Sequence, residues 1–176
     1  LSIDNVEADD IMAYIANEVY TKDENRVTIC STDRDFLQLV NNRISVWSPI
    51  KKKMYTPSVM QEEFGFSSKN YLVYRSFIGD KSDNIPGLKG IGPKKAEKIL
   101  HGIPAERRWN AVKKSWRENK ASLKQLDISY KLLRMLTTWK DYDDIRTHLY
   151  GEAVVSEQHD VPQQSDKAEA VHRLSE

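Results

Sequence analysis

The sequence predicts an α/β fold, a mainly parallel sheet flanked by helices with further helices after it. Three observations carry that expectation. Residues 26–30 are a short β-branched run bounded by helical segments, the pattern of a strand buried in a parallel sheet. Ile11, Tyr14, Ile15 and Val19 before it recur at helical spacing, as do Tyr71, Leu72, Tyr74, Phe77 and Ile78 after it. Immediately beyond the strand stand Asp33 and Asp35, at the carboxyl end where α/β sheets place their active sites.

At 176 residues the chain suits one domain of ordinary size with room for a small appendage. Apolar residues make up 39% and charged ones 30%, and no apolar run approaches a membrane span, so the chain reads as soluble with no membrane partner. A single cysteine, Cys30, excludes an internal disulfide, fits a reducing, cytoplasmic compartment, and is expected in the core. Leu1 stands where a start methionine would, so the natural start is expected upstream. The net charge of +1 hides a segregation. Residues 1–50 carry four basic and nine acidic side chains, net −5, and residues 51–120 carry sixteen basic and seven acidic, net +9. An acidic block meeting a basic one suits a metal-dependent enzyme acting on a polyanion, although any single charge is more often just solvated.

Taken in order, residues 1–3 read as the end of a strand, and Asn5-Val6-Glu7-Ala8-Asp9-Asp10 opens a helix. Acids suit a first helical turn, but three in four residues exceed what capping needs. Ser31-Thr32-Asp33-Arg34-Asp35 is a polar turn before a helix at 36–40; Asp33 alone can be its cap, whereas Asp35 has no such role. Residues 43–48 and 54–56 read as short strands around Pro49-Ile50-Lys51-Lys52-Lys53, whose lysines suit a solvated turn. Thr56-Pro57 starts a helix to Phe64 that Gly65 ends, and Ser67 or Ser68 caps the next helix, which brings Asp80 and Asp83 together at its end.

After those acids, Pro86-Gly87 breaks the chain, Gly90 and Gly92 are expected to take conformations that side chains forbid, and Pro93 suits the first turn of a helix over 94–100. Lys89, Lys94, Lys95 and Lys98 surround that helix start, whose free amides and dipole favour a phosphate. Proline after Gly92 excludes the P-loop, and Lys95 stands where the dinucleotide fingerprint needs a third glycine. A helix-hairpin-helix that grips a nucleic-acid backbone without reading bases remains. An isolated Gly-x-Gly would be an ordinary turn; lysines on both sides and acids upstream argue otherwise.

Residues 105–119 and 122–139 are helical in pattern. Trp109, Val112 and Trp116 form one apolar stripe, and Leu123, Leu126, Ile128, Leu132, Leu133 and Leu136 another. Residues 151–176, net −4 and without periodicity, are expected to form a mobile tail.

These motifs resemble those of the 5′-3′ exonuclease and flap endonuclease family, found in phage exonucleases and the nuclease domain of bacterial DNA polymerase I, over residues 1–104. Glu7-Ala8-Asp9-Asp10 is similar to its Glu-Ala-Asp-Asp motif. Ser31 to Asp35 is similar to its Ser-Thr/Ser-Asp-x-Asp turn, with Arg34 where glycine or lysine is usual, and Gly79 to Lys95 to its helix-three-turn-helix. The resemblance implies a PIN-like fold: 1–66 the carboxyl-terminal part of the nuclease core, 67–104 the helix-three-turn-helix, 105–150 a helical region. It also implies a structure-specific DNA hydrolase of bacterial or phage-infected cells, acting in replication or repair on 5′ ends, flaps or nicks. Glu7, Asp9, Asp10, Asp33, Asp35, Asp80 and Asp83 would converge on two Mg²⁺ or Mn²⁺ ions, hard cations that suit oxygen ligands. Gly87, Lys89, Gly90, Ile91, Gly92, Lys94 and Lys95 would hold the duplex, with a potassium ion on hairpin carbonyls. The family's amino-terminal half is expected to be truncated here or supplied as a separate chain. The rival reading is a non-catalytic DNA-binding module whose acids are only caps; a related metal-dependent RNA nuclease is a third.

Overall fold

The computed structural model describes residues 6–22 and 24–135. It divides into two compact units, residues 1–27 with 135–176 and residues 28–134. The expected strand at 1–3, Leu136, Trp139 and the tail at 151–176 lie outside the described residues.

In the first unit, α1 (Ala8–Tyr14) buries Ile11, Ala13 and Tyr14 and passes into a π-helical turn, Ile15–Val19. The wider turn shifts the faces, so Val19 is buried while Ile15, expected on the same stripe, is only half-buried.

The second unit holds a three-stranded sheet in the order β1-β2-β3. Its strands are β1 (Val27–Cys30), β2 (Ile44–Ser48) and β3 (Lys53–Tyr55). β2 and β3 form an antiparallel hairpin with Val46 opposite Tyr55, as the two runs flanking the lysines require. Cys30 is exposed, contrary to expectation: among the described residues β1 pairs on one side only, with β2, and Ile29 is its one buried residue. After β1 the chain makes a 3₁₀ helix, Asp35–Leu39, rather than an α-helix, and this short turn drives Phe36, Leu37 and Leu39 into the core. Lys51 and Lys53 pair with Glu63, at 3.4 and 2.8 Å, so the turn lysines are tethered to the following helix.

That helix, α2 (Pro57–Phe64), starts and stops where its residues dictate: the Val59 N–H donates to the Thr56 hydroxyl, and Gly65 closes it at φ 74°. Phe64 and Phe66 meet Tyr71 and Tyr74 of α3 (Tyr71–Ile78), with neighbouring centroids 5.2–6.0 Å apart, and this ring cluster anchors α3. Neither expected serine caps α3. A 3₁₀ turn, Ser68–Asn70, precedes it, and the Ser68 hydroxyl donates instead to the Val40 carbonyl.

α3 ends at Ile78, and Asp80 and Asp83 lie beyond it on a small hairpin of β4 (Gly79–Asp80) and β5 (Ile85–Pro86). Gly79 is obligatory: it takes φ +72°, and a Cβ there would lie 2.2 Å from the Gly87 nitrogen. A Cβ on Gly87 would likewise meet the Ile78 carbonyl carbon at 2.2 Å. Leu88 N–H donates to Phe77 O at 2.9 Å and Ser129 Oγ to Pro86 O at 3.1 Å, so the hairpin is welded to α3 and α6.

Three helices complete the unit: α4 (Pro93–Leu100), α5 (Arg108–Glu118) and α6 (Leu123–Leu133). Val112 and Trp116 are buried, and the Trp109 ring meets Tyr130 at 4.9 Å. On α6 the buried positions are Leu126, Ser129 and Leu133, a single helical face; Ile128 and Leu132, grouped with it from the sequence, lie on the neighbouring face and are exposed.

Candidate metal centre and nucleic-acid interface

Two short segments bring acids to one cleft and a helix brings a base. The turn after β1 supplies Asp33 and Asp35, the β4–β5 hairpin supplies Asp80 and Asp83, and α3 supplies Arg75. With Thr32, Arg34 and Ser82, Asp33, Arg75, Asp80 and Asp83 line a cleft of about 350 Å³. Carboxylate oxygens of Asp35, Asp80 and Asp83 lie within 4.8 Å of one another, a spacing at which one cation can be shared.

Arg75 ties the cleft together. Its Nε donates to Asp35 Oδ1 at 2.7 Å, and its Nη2 donates to Asp80 Oδ2. The Arg75 side chain is 9% exposed and the Asp35 and Asp80 side chains are each 14% exposed, so the pairs are largely withdrawn from water. Burial pushes the Asp35 carboxyl up, the Asp33 and Asp80 charges push the same way, and Arg75 opposes without cancelling them. Burial acts upward on Asp80 too, but hydrogen bonds from Ser82 and Arg75 outweigh it and hold the group below the ordinary range. Ser82 contributes both its N–H, 2.8 Å from Asp80 Oδ1, and its hydroxyl.

Asp33 lines the cleft while also acting as a local cap. Its Oδ1 accepts from the Asp35 N–H at 2.7 Å, which fixes the turn that aims Asp35 at Arg75. Arg34, between the two acids, turns its guanidinium toward Glu63, 3.9 Å away. Glu7, Asp9 and Asp10 stand at the start of α1 in the other compact unit, Glu7 without a side-chain cap bond, and their membership of the centre is a matter for proposal. Arg75 belongs to none of the motifs read from the sequence. It stands among Tyr71, Tyr74 and Ile78 on the stripe that the ring cluster buries, and a lone charge on such a stripe demands a buried partner.

The hairpin-to-α4 segment is of a different kind. Lys89, Gly90, Gly92, Lys94 and Lys95 are all exposed or half-exposed, and Ile91 is half-buried. Gly90 takes φ +80°, as expected; Gly92, at φ −103° and ψ 179°, has an extended backbone open to any residue, so the expectation of a forbidden conformation holds for Gly90 alone. A Cβ on either would meet nothing within 4 Å, leaving both facing open space. Lys95 Nζ donates to Gly90 O at 3.3 Å, folding the loop onto the first turn of α4, and Ala96 and Leu100 hold α4 to the core. Among the described residues no helix is long and apolar enough to cross a membrane.

Comparisons with known proteins agree on one group. Residues 1–65 match the family model described as 5′-3′ exonuclease, N-terminal resolvase-like domain. The chain is 33% identical over 145 residues to a 5′-3′ exonuclease of Aquifex aeolicus, covering 78% of this chain and 48% of that protein. It is 34% identical over 148 residues to a thermostable DNA polymerase I of Thermus thermophilus, covering 78% of this chain and 17% of that one. The chain thus spans about half the length of the exonuclease and a smaller share of the polymerase. In fold it is similar to a bacteriophage T5 flap endonuclease solved as a pseudo-enzyme-product complex with DNA and metal ions, with a TM-score of 0.60, 20% identity, and coverage of 100% of this chain and 62% of that one.

Proposed function

Because this chain belongs to the 5′-3′ exonuclease family, we propose that it is the carboxyl-terminal part of the nuclease unit of a structure-specific 5′-3′ exonuclease or flap endonuclease. The supporting observation is the convergence of Asp35, Asp80 and Asp83, three acids from two distant segments whose carboxylates share one small space. Acids serving only as helix caps have no reason to meet. That convergence favours the nuclease over a purely DNA-binding module.

In this reading Asp33, Asp35, Asp80 and Asp83, joined by Glu7, Asp9 and Asp10, hold a pair of Mg²⁺ or Mn²⁺ ions. Such ions, when bound, supply Lewis-acid stabilisation of the phosphate and a deprotonated water at neutral pH. The donor set fits them, being all carboxylate oxygen in a polar cleft with no Cys or His among its lining residues. The chain's own residues perform the remaining tasks. Lys89, Lys94 and Lys95 present ammonium groups, and Gly87, Gly90, Ile91 and Gly92 the backbone surface beside them, to a DNA phosphate backbone, fixing its register without reading bases. Hairpin carbonyls such as Gly90 O supply the oxygen ligands a potassium ion would take. Ser82 and Arg75 hold Asp80 ionised and oriented.

The proposed substrate is DNA with 5′ ends, flaps or nicks, and a further amino-terminal segment, in cis or as a separate chain, completes the domain. Nicked and 5′-flapped duplexes incubated with Mg²⁺ test this. The chain alone should bind duplex and cleave feebly; joined to or mixed with the upstream coding region it should release short products from 5′ ends or flaps. A reconstituted protein that binds these substrates without metal-dependent cleavage decides for the binding module.

A further inference from the structure

Asp80 has both carboxylate oxygens occupied. Oδ1 accepts from the Ser82 N–H and hydroxyl, and Oδ2 accepts from Arg75 Nη2. Asp35 Oδ1 accepts from Arg75 Nε. A planar guanidinium with a fork of donors suits two carboxylates that it meets with different nitrogens, and α3, held by its ring cluster, fixes where that fork sits. These same two carboxylates belong to the trio spaced for a cation. A divalent ion on the trio would stand within a few ångströms of a largely buried positive charge, where repulsion is poorly screened.

We propose that Arg75 is a built-in counter-ion: it gathers Asp35 and Asp80 from two separate segments by occupying the place of a divalent cation, and guanidinium and cation compete for the same carboxylates. Arg75 is then a positioning residue whose charge sets the affinity of the centre for its ions. Without it, acids drawn from distant segments repel one another and the cleft loosens. With it, the cleft keeps its shape, and an ion enters only by drawing the carboxylates off the guanidinium. The inference rests on the reading of Asp35, Asp80 and Asp83 as cation ligands.

Calorimetric titration of Mn²⁺ into the chain, Arg75→Gln, Arg75→Lys and the double variant Asp80→Asn with Asp83→Asn, alongside circular-dichroism melts, separates the two readings. Arg75→Gln should melt below the parent without added Mn²⁺ and bind Mn²⁺ about tenfold more tightly or better. Arg75→Lys should fall between, because an ammonium keeps the charge but lacks the fork. The double variant should lose Mn²⁺ binding; retention there, or no binding in any protein, sinks the cation-site reading itself. If the double variant loses binding but Arg75→Gln binds Mn²⁺ equally or more weakly, the counter-ion inference is overturned and the cation site stands. Should Arg75→Gln fail to fold, Arg75→Lys decides alone: tighter Mn²⁺ binding supports competition, unchanged or weaker binding overturns it.

Discussion

The acid cleft and the segment leading into α4 share the β4–β5 hairpin and are built on opposite principles. The cleft is assembled from segments 40 or more residues apart, its charges half-withdrawn from water and tied by partners: Asp35 and Asp80 by Arg75, Asp80 also by Ser82. The hairpin segment is contiguous, exposed and loosely engaged, folded back on itself by the bond from Lys95 to Gly90 O. Holding small hard cations, the role proposed for the cleft, demands carboxylates fixed to within fractions of an ångström, and burial and ion pairs supply such preorganisation. Gripping a polyanion demands accessible amides and mobile ammonium groups, which burial would defeat. β4 and β5 join the two, with Asp80 on one strand and the turn to Lys89 after the other.

The sharpest way to separate the regions is to disable one chemically. In a protein completed by its amino-terminal segment, Asp80→Asn with Asp83→Asn should lower cleavage of 5′-flapped DNA by at least about 100-fold, the scale of losing a preorganised electrostatic group, while leaving duplex affinity nearly intact. Loss of binding in parallel with cleavage would erase the distinction.

The weld between them is the next target. Gly87→Ala places a methyl carbon about where the Ile78 carbonyl carbon already stands, 2.2 Å from the ideal Cβ, so the hairpin must shift bodily from α3. A destabilisation of about 3 kcal/mol, at the upper end of overpacking costs, is expected in chemical denaturation. Gly92→Ala, whose added carbon meets nothing within 4 Å and whose backbone is ordinary, should leave stability unchanged and weaken duplex binding only if DNA approaches there.

Removing charge from the exposed region should act more gently. Lys94→Gln with Lys95→Gln should weaken binding equally for unrelated duplex sequences and reduce the slope of log K against log salt by roughly one unit for each phosphate left without its lysine. A change in sequence preference would contradict backbone gripping.

The smallest effect concerns the cleft under acid. Asp80 is held below its ordinary value of 3.8, so its contribution to stability is present above pH 3.8 and is lost as pH falls through the lowered folded value. Melting temperatures from pH 5 downward should show a drop that Asp80→Asn removes. Asp35, raised by burial, works in the other direction: its folded form takes up a proton before the unfolded chain does, so acid relieves rather than adds strain there.

Where function is carried by consecutive residues, it is legible in the sequence. Thr56-Pro57, Phe64 and Gly65 foretell α2 and its ends because capping is local chemistry, and Pro93 foretells the start of α4 for the same reason. Cys30 is misplaced by sequence reasoning because β-branched runs look alike whether one face or two faces are covered, and only the strand order puts β1 at the edge of the sheet formed by the described residues. Ile128 and Leu132 group with Leu126 and Leu133 in the sequence because apolar periodicity tolerates a broad arc, whereas the packed helix buries a narrow one.

The sequence by itself determined the α/β class, the acidic motifs, and the hairpin with its flanking lysines, because helix caps, glycine turns and charge blocks act over a few neighbouring residues. Tertiary structure alone decided that Arg75 reaches Asp35 and Asp80, that Gly79 and Gly87 must be bare for the hairpin to close on α3, and which acids share a cation-sized space. Those facts depend on distances between segments far apart in the chain. Such distances are set by how the ring cluster, sheet and helices fit together, which no local pattern encodes.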